Sequence, residues 1–300
     1  MAVPTETVYG LAANATQAQA CAKIFALKRR PANNPLIVHY AELKDLQKDV
    51  VWTDLAQALS VFWPGPLTLV LKRRKDSLLC PLVSAGLETV AVRMPAHSLF
   101  QDVIKLCGCS LAAPSANPSG LLSPTHPNHV KHFFSDLPIV DGGACRVGLE
   151  STVIDARFDS PILLRAGAVT AEAIFDKTGR HVQVPESKKQ EEKEPSGGYK
   201  IFHSPGQFPR HYAPTKPLRM NATSVGSDEG LLGFGPNPLS GAKKTINLSL
   251  RGSLEEAAAG FFNALHRLDK SSVSAIAVMA IPEEGLGKAL NDKVKRACIR

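Results

Sequence analysis

The sequence lacks the features that would place it in a membrane or in a disulfide-stabilised class. Its longest apolar run, 273–282, suits a buried strand and falls well short of the roughly 20 residues that cross a bilayer. The six cysteines have no disulfide-framework spacing, so we expect reduced, intracellular thiols. We expect no signal peptide before the first motif, and no Gly-x-Gly-x-x-Gly occurs in the second half.

Aromatic residues are also few, at 6% of the chain. Binding of RNA would favour exposed aromatics for stacking, so this composition disfavours it. The net charge of +8 nevertheless suits anionic partners such as nucleotides or RNA. With 300 residues, 44% hydrophobic and 21% charged, the chain is long enough for two ordinary globular domains.

The pattern of hydrophobic runs predicts two α/β domains and a linker. Short β-type runs alternate with helical patterns over 1–183, which predicts a mixed, twisted sheet with helices. A charged tract followed by proline and glycine predicts a linker over 184–215, and a βα rhythm over 216–300 predicts a small Rossmann-like domain. Thr16 and Thr53 are predicted to cap helices. Strands of the first domain are predicted at 36–39, 67–71, 89–93, 111–113, 138–141, 151–155 and 162–164.

Lys28 and Arg30 lie at the end of a predicted helix, just before Pro31 and a polar loop. They serve one of two roles. Either they stabilise the C-terminus of the helix, where cations are favourable, or they lie beside the end of the next strand, where ligands commonly bind, and hold an oxyanion or phosphate. We expect both side chains to face solvent when no ligand is bound.

Ser115 and Asn117 lie in a Pro-Ser-Ala-Asn-Pro-Ser-Gly run directly after a predicted strand. Such a run forms a turn in any protein, yet its side chains can also orient an anion without adding charge. Ser123 is similarly either a helix cap or a phosphate contact.

Arg93 follows an apolar strand, so its charge needs a partner. The carboxylate of a free amino acid would supply one, with Thr5, His39 and Ser151 as further polar contacts. A histidine at the end of an apolar strand is more often structural, and that alternative stays open for His39.

His126, His129 and His132 follow a His-x-x-His-x-x-His spacing. A metal site needs its ligands on one helical face, and this spacing drifts off it. We therefore expect surface histidines and no metal ligands from the protein.

Tyr212 lies near the end of the predicted linker, in an Arg-His-Tyr-Ala-Pro run that follows a Ser-Pro-Gly element. The segment is either a proline-stiffened tether or a lid that closes over a nucleotide.

Many of these motifs occur in the order of a known family. The runs PTETVYGLAANA, ALKRRPANNPLIVHY, WPGPLTLVLKR, TVAVRMPAH, AAPSAN, GLESTVID and ILLRAG resemble the YrdC-like family over residues 1–180. SPGQFPRHYAP and GLGKALNDKVKRA resemble its two-domain members, the threonylcarbamoyl-adenylate synthases.

The resemblance implies synthesis of threonylcarbamoyl-AMP from L-threonine, bicarbonate and ATP, with release of pyrophosphate. Magnesium would arrive with ATP, and a downstream transferase would use the product to modify tRNA adenosine next to the anticodon. The residues implied are Lys28, Arg30, Ser115 and Asn117 for catalysis, Thr5, His39, Arg93 and Ser151 for L-threonine, and Lys28, Arg30, Asn34, Ser115, Ser123, Arg165 and Tyr212 for ATP.

Two other interpretations stay open at this point. The chain could be a non-catalytic protein of the same fold that binds double-stranded RNA or tRNA. It could also be a carbamoyl-transfer relative, although such proteins carry extra zinc-finger or kinase-like domains.

The N-terminus is expected to be truncated, because Met1 stands only three residues before the first motif. We expect a cytoplasmic protein, or a mitochondrial form if an upstream segment carries a targeting signal.

Overall fold

The structure, a computed structural model, describes residues 1–185 and 211–299. Among these residues, two compact units are present, and neither is contiguous in the sequence. The first contains Met1, 10–114 and 151–185, and the second contains 2–9, 115–150 and 211–299. Most of the predicted linker, 186–210, lies outside the described residues, and the predicted domain boundaries stay a prediction.

The strands of the described residues are short, and most coincide with apolar runs of the sequence. In chain order they are β1 (Ala2–Val3), β2 (Gly10–Leu11), β3 (Ala13–Asn14), β4 (Ile37–His39), β5 (Leu67–Lys72), β6 (Thr89–Arg93), β7 (Leu111–Ala112), β8 (Thr152–Asp155), β9 (Ile162–Arg165), β10 (Leu218–Arg219), β11 (Gly230–Gly233), β12 (Lys244–Asn247) and β13 (Ile276–Val278).

The helices lie between groups of these strands along the chain. They are α1 (Ala18–Lys28), α2 (Leu43–Leu46), α3 (Asp54–Leu59), α4 (Ser98–Cys107), α5 (Pro127–Phe133), α6 (Ala171–Thr178), α7 (Leu254–Asp269) and α8 (Leu286–Ala297), with short 3₁₀ helices at Ser60–Phe62 and Pro81–Ser84. Within the described residues, no helix has both the length and the apolar character needed to span a bilayer.

The first unit contains a seven-stranded mixed sheet in the order β3-β7-β4-β6-β5-β8-β9. The pairs β4–β6 and β5–β8 are parallel, and the remaining pairs are antiparallel. Buried side chains from four strands, Ile37, Val70, Ala91 and Val153, form a core on one face, against which Leu164 packs. The predicted mixed α/β sheet is confirmed.

The second unit contains a four-stranded sheet in the order β10-β13-β11-β12, and all its pairs are parallel. This parallel sheet, with α7 between β12 and β13 and α8 after β13, confirms the α/β character predicted for this part of the chain. Helix α7 begins at a Ser253 cap, whose hydroxyl accepts a hydrogen bond from the Glu256 N–H.

Two local predictions were wrong. Thr16 does not cap α1, because the helix begins one residue later and the Thr16 hydroxyl donates instead to Asn14 Oδ1 at 2.8 Å. The predicted strand at 138–141 is only an isolated bridge between Ile139 and Ala2. Pro138 has no N–H to donate, and the glycines at 142–143 follow at once, so pairing does not extend. Thr53 does cap α3, as predicted.

The prediction of surface histidines is wrong for His129. Its ring stacks on His266 of α7, with centroids 3.9 Å apart. The Thr125 N–H donates to His129 Nδ1 at 3.2 Å, and His266 Nε2 lies 3.1 Å from the Ser123 carbonyl oxygen. Burial, and then the charge of His266, lowers the pKa of His129 to about 3. Burial lowers the pKa of His266 to about 4, so both rings are neutral at neutral pH.

We predict that acidification destabilises the protein through this pair. Both folded-state pKa values lie below the ordinary 6.5, so the pair's contribution is present above that pH and is lost as the pH falls toward about 4. A double variant, His129→Asn with His266→Gln, keeps hydrogen-bonding groups but cannot titrate. Its melting temperature should fall less steeply with acidification than that of the wild type.

His181→Gln is the control, because His181 is an exposed histidine of the first unit and is not among the groups that shift the pKa of His129 or His266. It should follow the wild-type pH profile. If the melting temperature of the double variant fell as steeply with acidification as that of the wild type, the assignment of this pH dependence to His129 and His266 would be contradicted.

Candidate functional site

Helix α1 places Lys28 in the interior of the first unit. Lys28 shares the buried side of the helix with Cys21 and Ile24, at intervals of three and four residues, and only 1% of it is exposed. The expectation that Lys28 faces solvent is therefore wrong. Arg29 then adopts a left-handed φ of 49° and remains exposed, which ends the helix before Arg30.

The residues after the helix hold the Arg30 side chain. Arg30 Nε donates to the Asn34 carbonyl oxygen at 3.0 Å, and Nη2 donates to Asn34 Oδ1 at 2.7 Å and to the Pro35 carbonyl oxygen at 2.6 Å. Asn34 is buried and acts here by orienting the guanidinium. The contact of Asn34 with ATP that the family resemblance implies stays a prediction.

Three cations of the first unit lie close enough to perturb one another. Burial, and then the charge of Arg30, holds the pKa of Lys28 well below its usual value. Burial, and then the charge of Arg165, lowers the pKa of Arg30 to about 9. Like charges that are gathered and desolvated raise the free energy of the ligand-free protein, and a bound anion relieves that cost. Lys28, Arg30 and Arg165 are called the cation cluster below.

Arg165 also fixes the start of the neighbouring strand. Its Nη2 donates to the Ser151 carbonyl oxygen at 2.8 Å and to Ser151 Oγ at 3.1 Å. The Ser151 hydroxyl shares a second hydrogen bond, of 2.7 Å, with Thr68 Oγ1 on β5. The structure therefore brings the predicted residues Ser151 and Arg165 together, and it adds Thr68, which sequence reasoning missed.

His39 and Arg93 are neighbours across the parallel pair β4–β6. Burial, and then the charge of Arg93, lowers the pKa of His39 to about 3, so the ring is neutral. His39 Nδ1 is buried and has no hydrogen-bond partner among the described residues. Arg93 Nε donates to the Gly65 carbonyl oxygen at 3.2 Å. Only glycine fits there, because a Cβ would lie 2.1 Å from the Phe62 carbonyl oxygen.

The second unit contains the Ser115–Asn117 loop. Ser115 is half-buried, and Asn117 is 1% exposed. Asn117 Nδ2 donates to the carbonyl oxygens of Pro118 and Leu121, both at 2.9 Å. The amide therefore closes its own turn, as the turn chemistry of the sequence indicated.

Ser123 lies in the same unit and is fully buried. Its hydroxyl donates to Glu150 Oε1 in a short hydrogen bond. The alternative of a helix cap is wrong, since α5 begins at a His126 cap whose Nδ1 accepts from the Asn128 N–H at 3.2 Å.

Thr5 orders its own loop within the second unit. Its hydroxyl donates to the Val8 carbonyl oxygen at 2.7 Å and accepts from the N–H groups of Thr7 and Val8. Such local hydrogen bonding is typical of threonine in turns.

Tyr212 is buried in the second unit, with 1% of it exposed. Its backbone has a left-handed φ of 62°. The ring lies 5.7 Å from that of Phe262, and Lys293 Nζ lies 5.3 Å from the Tyr212 centroid. Whether Tyr212 belongs to a lid stays a prediction, because most of the linker before it is outside the described residues.

Glu150 contacts the predicted residue Ser123, and Lys293 contacts the predicted residue Tyr212. Sequence reasoning missed Glu150 and Lys293. A signal was present for Lys293, which interrupts the apolar stripe of α8. That stripe consists of Ala289, Leu290, Val294 and Ala297. Among the described residues, no group of three or more His, Cys, Asp or Glu side chains could hold a metal ion.

Comparison with known proteins was made by family model, sequence and fold. Residues 1–167 match the Sua5/YciO/YrdC family model, described as telomere recombination, and residues 169–298 match the model described as threonylcarbamoyl-AMP synthase, C-terminal domain. The chain belongs to this family. Its two matched regions are those of the two-domain threonylcarbamoyl-AMP synthases, as the sequence motifs indicated.

Individual members of the family match the whole chain. The threonylcarbamoyl-AMP synthase of Bacillus subtilis is 38% identical over 99% of this chain and 88% of its own length. That of Pyrococcus abyssi is 36% identical over 99% and 89%. The crystal structure of P. abyssi Sua5 complexed with L-threonine has a TM-score of 0.87, at 35% identity, and covers 99% of this chain and 89% of that one.

We predict that the cation cluster binds a multivalent phosphate anion such as pyrophosphate. Lys28→Met keeps most of the buried volume but removes the charge, so the melting temperature without ligand should not fall much. The stabilisation that pyrophosphate confers on the wild type should be lost, as measured by thermal denaturation across a pyrophosphate titration.

Lys23→Met is the matched control, since Lys23 lies on the exposed side of the same helix. It should retain the full stabilisation. Equal stabilisation of the Lys28→Met variant by pyrophosphate would exclude Lys28 from the anion site.

Proposed function

We propose that this protein synthesises threonylcarbamoyl-AMP from L-threonine, bicarbonate and ATP. The observation that carries the proposal is the cation cluster, in which burial and like charge depress the pKa values of Lys28 and Arg30. A buried group of cations is suited to a small, highly charged ligand such as the triphosphate of ATP. The full-length similarity to a relative whose structure contains L-threonine supports the amino-acid substrate.

The reaction belongs to the nucleotidyltransferases. The amine of threonine attacks bicarbonate, and loss of water gives N-carboxy-threonine. A carboxylate oxygen of this intermediate attacks the α-phosphorus of ATP, and the bond from that phosphorus to the bridging oxygen of pyrophosphate breaks. No covalent enzyme intermediate is required, so the protein acts by positioning substrates and stabilising developing negative charge.

The cation cluster would stabilise the charge that builds on the phosphates. Lys28 and Arg30 are the residues we assign to bicarbonate and phosphate, with Ser115 as a neutral donor. Asn117, whose amide donates to two backbone carbonyl oxygens, is assigned the role of holding the loop that carries Ser115. Arg165 is assigned to the nucleotide. Its hydrogen bonds to Ser151 fix the direction of its guanidinium, which reduces the reorganisation needed during reaction.

Arg93 and His39 are suited to the amino acid. Arg93 is a buried guanidinium at the end of β6, a group suited to a carboxylate, and the neutral His39 ring beside it has a buried Nδ1 with no hydrogen-bond partner within the described residues. We assign the threonine carboxylate to Arg93 and a threonine hydrogen-bond donor to His39 Nδ1.

Magnesium belongs to the substrate in this proposal. The described residues offer no group of three or more His, Cys, Asp or Glu side chains for a metal. Mg²⁺ readily binds phosphate oxygens, so we propose that it enters as MgATP.

The RNA-binding alternative is less well supported. An RNA duplex is bound by cations that reach its phosphates from the protein surface, whereas Lys28 is 1% exposed. A buried cation instead fits a ligand that enters a small site. The product would pass to a transferase that modifies tRNA, and the cytoplasm is the compartment we expect for both steps.

We predict that pyrophosphate is released from ATP only when both L-threonine and bicarbonate are present. The measurement is an enzyme-coupled pyrophosphate assay in bicarbonate-depleted buffer, with each substrate omitted in turn. Release that continues at the same rate without threonine or bicarbonate would rule out the proposed reaction.

We predict that Arg93→Gln raises the KM for L-threonine by about a hundredfold and leaves the KM for ATP nearly unchanged. An arginine–carboxylate pair in a desolvated site contributes on the order of a few kcal/mol. Arg74→Gln is the control, because Arg74 is an exposed arginine of the same unit that pairs with Asp76. A parallel rise in both KM values would indicate general damage to the fold.

A further inference from the structure

Lys293 is an unusual residue for the last helix of the chain. It lies on the buried side of α8, and its side chain is 0% exposed. Lysine is almost never fully buried unless a partner compensates its charge. The groups around Lys293 should therefore reveal why a cation lies there.

The acidic partner of Lys293 is Glu150, which comes directly before β8. Lys293 Nζ lies 3.6 Å from Glu150 Oε2, beyond ordinary hydrogen-bond distance. Glu150 Oε2 accepts no hydrogen bond from the described residues, whereas Oε1 accepts the hydroxyl proton of Ser123. A loose buried ion pair contributes little stability, because its attraction barely offsets desolvation.

The same ammonium group also faces an aromatic ring. Lys293 Nζ lies 5.3 Å from the centroid of Tyr212, within the range of a cation–π interaction. Tyr212 has a left-handed backbone, which is strained for a residue other than glycine and is common at functional sites. Lys293 thus contacts Tyr212 and, through Glu150, orders Ser123.

We propose that Lys293 is a positioning residue for ATP. This inference rests on the proposed function, because Ser123 and Tyr212 are two of the residues assigned there to ATP. Lys293 faces Glu150, which accepts the Ser123 hydroxyl proton and so leaves the Ser123 oxygen to accept a hydrogen bond from a hydroxyl or amino group of the nucleotide. Lys293 also lies against the ring of Tyr212. The last helix of the chain therefore contributes to nucleotide binding through the two residues that Lys293 orders.

The test is the affinity for MgATP, measured directly by isothermal titration calorimetry on the full chain. Lys293→Met removes the charge and keeps an unbranched side chain of similar length. We expect about tenfold weaker binding of ATP, as is typical when a residue that orients a ligand contact is lost. In the pyrophosphate assay, the KM for ATP should rise while the KM for L-threonine stays constant. A merely structural defect would lower the active fraction without this split.

Two further variants keep the test decisive. Lys295→Met makes the same chemical change on the exposed side of the same helix and should bind ATP like the wild type. Lys293→Met combined with Glu150→Gln leaves no uncompensated buried charge, so it should fold even if the single variant does not. We expect the double variant to remain weak in ATP binding.

The possible outcomes separate this inference from the proposed function. Wild-type affinity for ATP in the Lys293→Met variant, or in the double variant, would overturn the role of Lys293. A wild-type protein that binds no ATP would overturn both ideas. Binding of ATP that depends on Lys293, together with no pyrophosphate release, would overturn the proposed reaction and leave the positioning role in place.

Discussion

The desolvation of positive charge is the constraint on which the rest of this structure depends. Lys28 is taken out of water at the end of α1 and lies beside Arg30, which in turn is perturbed by Arg165. Taking a cation out of water costs free energy, and burial accordingly holds the pKa of Lys28 well below its usual value. The hydrogen bonds from Arg30 to Asn34 and Pro35, and the packing of α1, are what hold the arrangement together.

The buried cations of the two units differ in the groups that surround them. In the second unit, Lys293 faces the carboxylate of Glu150 and the ring of Tyr212, so the protein itself supplies the compensating groups. In the first unit, the charged groups that perturb Lys28 and Arg30 are themselves cations. A group of neighbouring cations is suited to an anionic ligand, and on that basis we propose that Lys28 and Arg30 bind phosphate, whereas Lys293 orients its neighbours.

Local patterns predicted most of the secondary structure, and the exceptions have identifiable causes. Continuous apolar runs predicted β5 and β6 almost to the residue, because both strands are buried along nearly their whole length. The run at 138–141 looked equally strand-like but gains only one bridge. His129 was misplaced on the surface because its partner, His266, is 137 positions away in the sequence, and periodicity within α5 carries no information about it.

The sequence by itself determined the order of the motifs, the family, and which residue types are available for an anion and an amino acid. Those properties depend on the order of residues along the chain, so they can be established without knowledge of the fold. The tertiary structure alone decided that Lys28 is buried, that His39 and His129 are neutral, and that Lys293 meets Glu150. The physical reason is that burial and charge–charge interactions depend on distances in space, and the sheet pairings and helix packing that set those distances join residues far apart in the sequence.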